Sequence, residues 1–160
     1  MCHELTYSLQ LRASELLSET VPAPGLCLLR IERHPSFEAS TALSLYDCRE
    51  GYRVLERTWD METDARRAKE RVEWLKAKPA RHLLQQEELQ PTLRRRRADL
   101  PANVADELLA ALRGAKLSMP PEPEALGMDG TSYTLYYEAG FSSAELCWWE
   151  AGPEEWQDLV

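Results

Sequence analysis

The segment YTLYYEAGFSSAELCWW, Tyr133 to Trp149, holds two apolar runs around a glycine-containing break. Neighbouring residues on a strand face opposite sides of a sheet, so the pairing register decides which side chains share the core. If AGFS (Ala139–Ser142) is the loop, Glu138 opposes Ser143. Tyr137 then faces Ala144, Leu135 faces Leu146 and Tyr133 faces Trp148, all on one side. The other side sets Glu138, Tyr136, Thr134 and Ser132 against Ser143, Glu145, Cys147 and Trp149. A loop one residue longer opposes Tyr137 with Glu145 and separates the apolar sets. The register predicts Trp148 in the core and Trp149 on a mostly polar face.

Working outward, Leu5, Tyr7, Leu9 and Leu11 alternate with polar residues, which reads as a half-buried strand. RASELLSET adds at most one helical turn. VPAPG (Val21–Gly25) breaks the chain, and LCLLRIER reads as a central strand. EASTALSLYD and YRVLERTW read as a hairpin around DCREG, with Asp47 and Gly51 as turn residues. In METDARRAKERVEWLKAKP, Ala65, Ala68, Val72 and Leu75 form one helical stripe, capped by Asp60 or Thr63 and limited by Pro79. A weaker helix covers ARHLLQQEEL. In LPANVADELLAALRG, Asn103 caps a helix whose inner face is Val104, Leu108, Ala111 and Leu112, and Gly114 stops it. Residues 114–130 are a proline-rich connector to the last hairpin. The expectation is a single α+β domain over 1–160: a largely antiparallel sheet of about six strands, with two or three helices packed on one face.

The 27 acids against 19 bases give a net charge of −8, which repels phosphate backbones and favours basic partners. Cys2, Cys27, Cys48 and Cys147 are scattered without a CxxC pair. Cys27 and Cys147 read as small buried hydrophobes. MCHELTYSLQ lacks the basic and apolar regions of a signal peptide, and no apolar run reaches membrane length. These features predict a cytoplasmic protein with reduced thiols and no membrane association.

No phosphate loop, dinucleotide fingerprint, nucleophile elbow or HExxH motif occurs. His3, His34 and His82 lie in separate segments, His34 as a solvated turn residue before Pro35, and Cys48 sits in a turn without a nearby base. No catalytic residue, metal site or cofactor is therefore assigned. Arg94, Arg95, Arg96 and Arg97 are candidate phosphate-binding residues. On a helix they would spread around the circumference, no aromatics interleave for base stacking, and acids flank them, so nucleic acid is the weaker reading. The partner-binding candidates are Trp149, Tyr136, Phe141 and Glu145, an aromatic and acidic set on the last hairpin. The alternative for Trp149 is cover by Trp156 or Leu159 of the tail.

Asp129 to Trp156 resembles the closing segment of a group of uncharacterised, mostly bacterial proteins, with the pattern DGTxYxLxxxxGFxSxxxxWW followed by a proline and another tryptophan. The resemblance implies a bacterial origin and no mechanism. In size and acidity the chain is also similar to immunity proteins, which bind and block toxins. Together these readings predict a non-catalytic protein-binding module, of the immunity type, for a partner such as a basic toxin. The alternatives are a small enzyme using Cys48 or a histidine, and a nucleic-acid-binding protein using Arg94–Arg97.

Overall fold

A computed structural model describes residues 2–19, 25–77, 89–114 and 130–150. The chain runs α1 (Cys2–Ser18), β1 (Gly25–Pro35), β2 (Thr41–Cys48), β3 (Gly51–Trp59), α2 (Met61–Ala77), β4 (Leu93–Leu100), α3 (Ala102–Gly114), β5 (Thr131–Ala139) and β6 (Ser142–Trp149). The six strands form one antiparallel sheet in the order β4-β3-β2-β1-β5-β6. The fold is α+β, as expected.

The amino-terminal segment expected as a strand is the helix α1. Its alternating Leu5, Leu9 pair also fits a spacing of four, which continues into Ala13 and Leu17. Leu9, Ala13 and Leu17 are buried while Tyr7 and Leu11 are half exposed. Only Thr6 in α1 is β-branched, so nothing in the side chains opposes a helix. The arginine run, in turn, lies on a strand: β4 reads LRRRRADL, and its apolar signal is absent because it is an edge with six exposed residues. One strand fewer at the amino terminus and one more at β4 leave the count at six. The weaker helix over ARHLLQQEEL and the connector fall mainly outside the described residues.

The helices divide between both faces of the sheet instead of sharing one. Leu109 of α3 packs against Leu29, Leu45, Leu135 and Trp148, with Ile31, Val54 and Tyr133 at the margin. On the opposite face, Leu9 and Ala13 of α1 and Ala68 of α2 close over Trp59. The inner residues of α3 are Ala105 and Leu109; Val104 and Leu108, expected to face inward, are more than 40% exposed. Alternation from Val54 to Trp59 assigns the two faces, since Arg57 and Trp59 share the α1 side. A register shift between Cys27 and Leu29 places Cys27 opposite Tyr46, and Cys27 is buried as expected.

The α1 face is polar at its centre. Arg57, 1% exposed, donates from Nη1 to the carbonyl oxygens of Leu16 and Glu19, each at 3.0 Å, and from Nη2 to that of Leu17. These carbonyls lie at the carboxyl end of α1, where a helix has acceptors without intrahelical donors and a partial negative charge. Beside it, Glu32 accepts hydrogen bonds from Ser18 Oγ at 2.7 Å and His34 Nε2 at 3.1 Å, and pairs with Arg30 at 2.6 Å. Burial pushes the Glu32 carboxyl up, but His34, Ser18 and Arg30 outweigh it and hold it below its ordinary value. His34 is thus a half-buried donor to Glu32 and not the solvated turn residue expected from its proline neighbour.

Two outcomes follow from this layer. Arg57→Met leaves one buried and two part-buried carbonyls without this donor and is expected to lower the unfolding free energy by about 3 kcal/mol in urea titrations. For Glu32, a depressed carboxyl stabilises the fold fully above its unfolded value of about 4.3 and loses that contribution as pH falls through the lower folded value. Glu32→Gln is therefore expected to be less stable than the parent at pH 7 and to lose less stability on acidification, measured by thermal melts from neutral to acid pH.

Candidate interaction edge

The last hairpin has the register read from the sequence. Glu138 pairs with Ser143, Tyr137 with Ala144, Leu135 with Leu146 and Tyr133 with Trp148. Ala139 and Ser142 also pair, so the loop is the two residues Gly140 and Phe141. Gly140 has φ +60°, the first-position geometry that favours glycine in a tight hairpin turn. Trp148 is 7% exposed and stacks on Tyr133 with ring centroids 5.5 Å apart. Such a pair adds about 0.5–1.5 kcal/mol to area burial.

The partner-binding candidates do not meet in one patch. Tyr136 lies directly opposite Glu145, but Trp149 pairs with Ser132, four positions along β5 and about 13 Å away. Phe141 stands fully exposed at the opposite tip of the hairpin. Tyr136 is already engaged: its hydroxyl donates to Glu138 at 3.1 Å, and the Arg30 guanidinium sits 5.2 Å over its ring. Trp149 is 36% exposed, and its indole lies against the Cα of Gly130, where a Cβ would collide with the ring and with the Glu150 carboxylate. Glu150 Oε1 in turn accepts from the Thr131 backbone N–H at 2.9 Å. Gly130 is also fixed to Ser36, whose Oγ donates to its carbonyl at 3.0 Å and accepts from its N–H at 3.1 Å. Trp149 is thus partly a packing residue. The alternative cover by Trp156 or Leu159 falls outside the described residues.

The sheet has two edges of opposite character. On β4, five of eight residues are charged; Arg94 and Arg96 project to one face, Arg95 and Arg97 to the other. Arg94 pairs with Asp60 at 2.7 Å, and Arg96 approaches Glu56 at 4.0 Å. Asp99 accepts from Arg53 at 3.0 Å. Among the described residues, Arg95 and Arg97 form no ion pair. The phosphate-binding candidates are therefore split two and two, and half are spent on neighbouring acids. On β6, SSAELCWW, Glu145 is the one charged residue. Cys147, expected as a buried hydrophobe, is exposed on this edge beside Thr134.

Other chemistry does not converge. Cys48 pairs with Gly25 at one end of the sheet, and His34 with Ser132 at the other, nine positions or about 30 Å along β1. The side chain of His3 and the whole of His82 lie outside the described residues. Among the described residues, no three His, Cys, Asp or Glu side chains are grouped to hold a metal ion. No described helix is long and apolar enough to cross a membrane. A cleft of about 390 Å³ at the start of α2 is lined by Phe37, Asp60, Met61 and Arg94 among others. Of its three carboxylates, Asp60 is occupied by Arg94 and by the backbone N–H of Thr63 at the start of α2, and Glu38 pairs with Arg33; Glu62 is the third. Phe37, 73% exposed at the rim, was hidden in a segment whose only sequence signal was a turn.

Gly130→Ala is expected to displace the Trp149 indole, cost about 1–3 kcal/mol and change the near-ultraviolet circular dichroism while leaving the far-ultraviolet spectrum intact. No family model, curated protein or solved structure matches the chain, so the geometry of its edges carries the functional argument.

Proposed function

We propose that the chain is a non-catalytic protein-binding module that takes a partner strand along β6. The contrast between the two edges carries this reading. An open edge strand offers a row of unpaired N–H and C=O groups, and proteins commonly blunt such edges with charge. β4 is blunted by four arginines and an aspartate; β6, of equal length, carries only Glu145. An added strand takes its affinity from main-chain hydrogen bonds and its specificity from alternate side chains. Those side chains are Ser143, Glu145, Cys147 and Trp149 on one face and Ala144, Leu146 and Trp148 on the other. Glu145 and Trp149 keep their role as contact residues; Tyr136 supports Glu145 from the neighbouring strand, and Phe141 flanks the start of the edge.

The net charge of −8 favours a basic partner through steered encounter. A cytoplasmic immunity protein blocking a basic toxin is the specific form of this reading that the bacterial resemblance and the acidity support. The test is co-purification of the tagged chain with the products of adjoining genes. Ser143→Lys/Cys147→Lys places blocking charges at two exposed edge positions and is expected to weaken the complex at least ~tenfold, about 1.4 kcal/mol. Arg95→Glu/Arg97→Glu is expected to leave the complex intact. Loss of binding only in the arginine variant, with salt-sensitive retention on RNA or DNA, overturns the proposal in favour of nucleic acid.

A further inference from the structure

We infer that the strand seated on β6 is β6 of a second copy, giving a two-fold dimer with one continuous twelve-stranded sheet. This inference rests on the β6 reading above and seats a second copy on the edge in place of a foreign strand. Directly opposed residues in an antiparallel pair share a face, so the apolar face continues across the junction only if like faces meet. With Leu146 on the two-fold axis, each Leu146 meets its copy, Ala144 meets Trp148, Glu145 meets Cys147 and Ser143 meets Trp149. Each large ring is opposed by a small side chain, on both faces. Leu135 and Tyr133, paired with Leu146 and Trp148 on the other side, continue the apolar row into each protomer.

The alternative alignments are worse on charge or volume. With Glu145 on the axis, two carboxylates oppose each other, which is destabilising. With Cys147 on the axis, Leu146 opposes Trp148 and Glu145 opposes Trp149, and the small residues Ser143 and Ala144 lose their large partners. A shift by one residue sets Glu145 of the polar face against Leu146 of the apolar face.

Closure favours a second copy over head-to-tail stacking. Pairing β6 with β4 of the next molecule leaves one free edge at every step and builds an open filament. Pairing β6 with β6 consumes both unblunted edges and leaves an arginine-lined β4 at each end of the sheet. The opposing term is repulsion between two chains of charge −8 each. Salt screens it, with a Debye length of about 10 Å at 0.1 M, so added salt strengthens this dimer.

Sedimentation equilibrium of the full chain is expected to show a reversible association of 18.3 kDa protomers to a dimer whose fraction rises with added salt. Leu146→Lys sets two ammonium groups together on the axis, and Ala144→Arg crowds the opposing Trp148 from an exposed position that folding does not need. Each is expected to weaken the dimer at least ~tenfold, or 1.4 kcal/mol. In a Cys147→Ser background, Leu146→Cys brings two thiols opposite each other, with Cα atoms about 4.5–5.5 Å apart and within disulfide reach. Mild oxidation is expected to yield one intermolecular disulfide through residue 146, found by mass spectrometry of unreduced peptides. A wild-type chain that stays monomeric at ~1 mM, with no disulfide through residue 146 in the Leu146→Cys variant, overturns the inference. If such a monomer still binds another protein in a manner abolished by Ser143→Lys/Cys147→Lys, the binding reading stands and the second copy alone is lost. A dimer indifferent to every β6 variant overturns the inference, and a protein complex equally indifferent to Ser143→Lys/Cys147→Lys overturns the β6 reading as well.

Discussion

The arrangement depends on a single guanidinium. Arg57 rises from the third strand into the space under α1 and gives its donors to the carbonyls that end that helix. A charged group 1% exposed is costly unless its donors are satisfied, and a helix end under cover is costly unless its acceptors are. The two Nη groups offset most of both costs, and Nε is left buried without a partner among the described residues. The contact also sets where α1 ends, so Ser18 reaches Glu32 and Leu17 is fully buried. Two residues beyond Arg57, Trp59 donates from Nε1 to the buried Asp64 of α2 at 2.8 Å. Asp64 also accepts from the Thr92 backbone N–H at 2.7 Å, which ties the entry of β4 to the same helix. One stretch of β3 therefore fixes both helices on this face and the strand beside it.

That placement explains why the two edges differ. α1 is anchored over β1 to β3, and α2 packs on α1. β5 and β6 extend the sheet beyond the Arg57 anchor, and their polar face carries Tyr136, Glu145, Cys147 and Trp149. At the other side, β4 is an edge whose arginines have acids within reach, Asp60 on the α2 cap and Glu56 on β3. Surface pairs of this kind add little stability, with a median of about 0–1 kcal/mol. Their effect is on association: an incoming strand would have to desolvate or displace them. Among the described residues, no comparable set of ion pairs stands along β6.

Legibility in the sequence followed the same division. The last hairpin was readable because each face is consistent along its length: Tyr133, Leu135 and Tyr137 against Trp148, Leu146 and Ala144 admit one register. The β2–β3 hairpin was readable from its turn residues, with Gly51 at φ +124° after the tip. α1 was misread because Leu5, Tyr7, Leu9 and Leu11 satisfy a period of two over seven residues, while the deciding Ala13 and Leu17 lie in the next segment. β4 was missed because an edge strand of arginines has no buried face to report. The inner face of α3 was assigned to Val104 and Leu108 because both are larger than Ala105; packing chose Ala105, 0% exposed, which lets the helix approach the sheet closely. The Arg57 contact had no sequence signal, because its partners are backbone carbonyls some forty positions away.

Among the described residues of the closing segment, several of the glycines and aromatics have packing duties. Gly130 makes room for Trp149, Tyr133 stacks on Trp148, Leu135 is 1% exposed, and Gly140 turns the hairpin at φ +60°. A pattern made of such residues specifies how the hairpin is built and leaves its partner open. The positions the pattern leaves unspecified between Ser143 and Trp148 are Ala144, Glu145, Leu146 and Cys147. In the structure they form the middle of β6, where Glu145 is the one charged residue. Small Ala144 lies four residues before large Trp148 on the same face, with Leu146 midway between them, so the apolar side of this edge changes in bulk along its length.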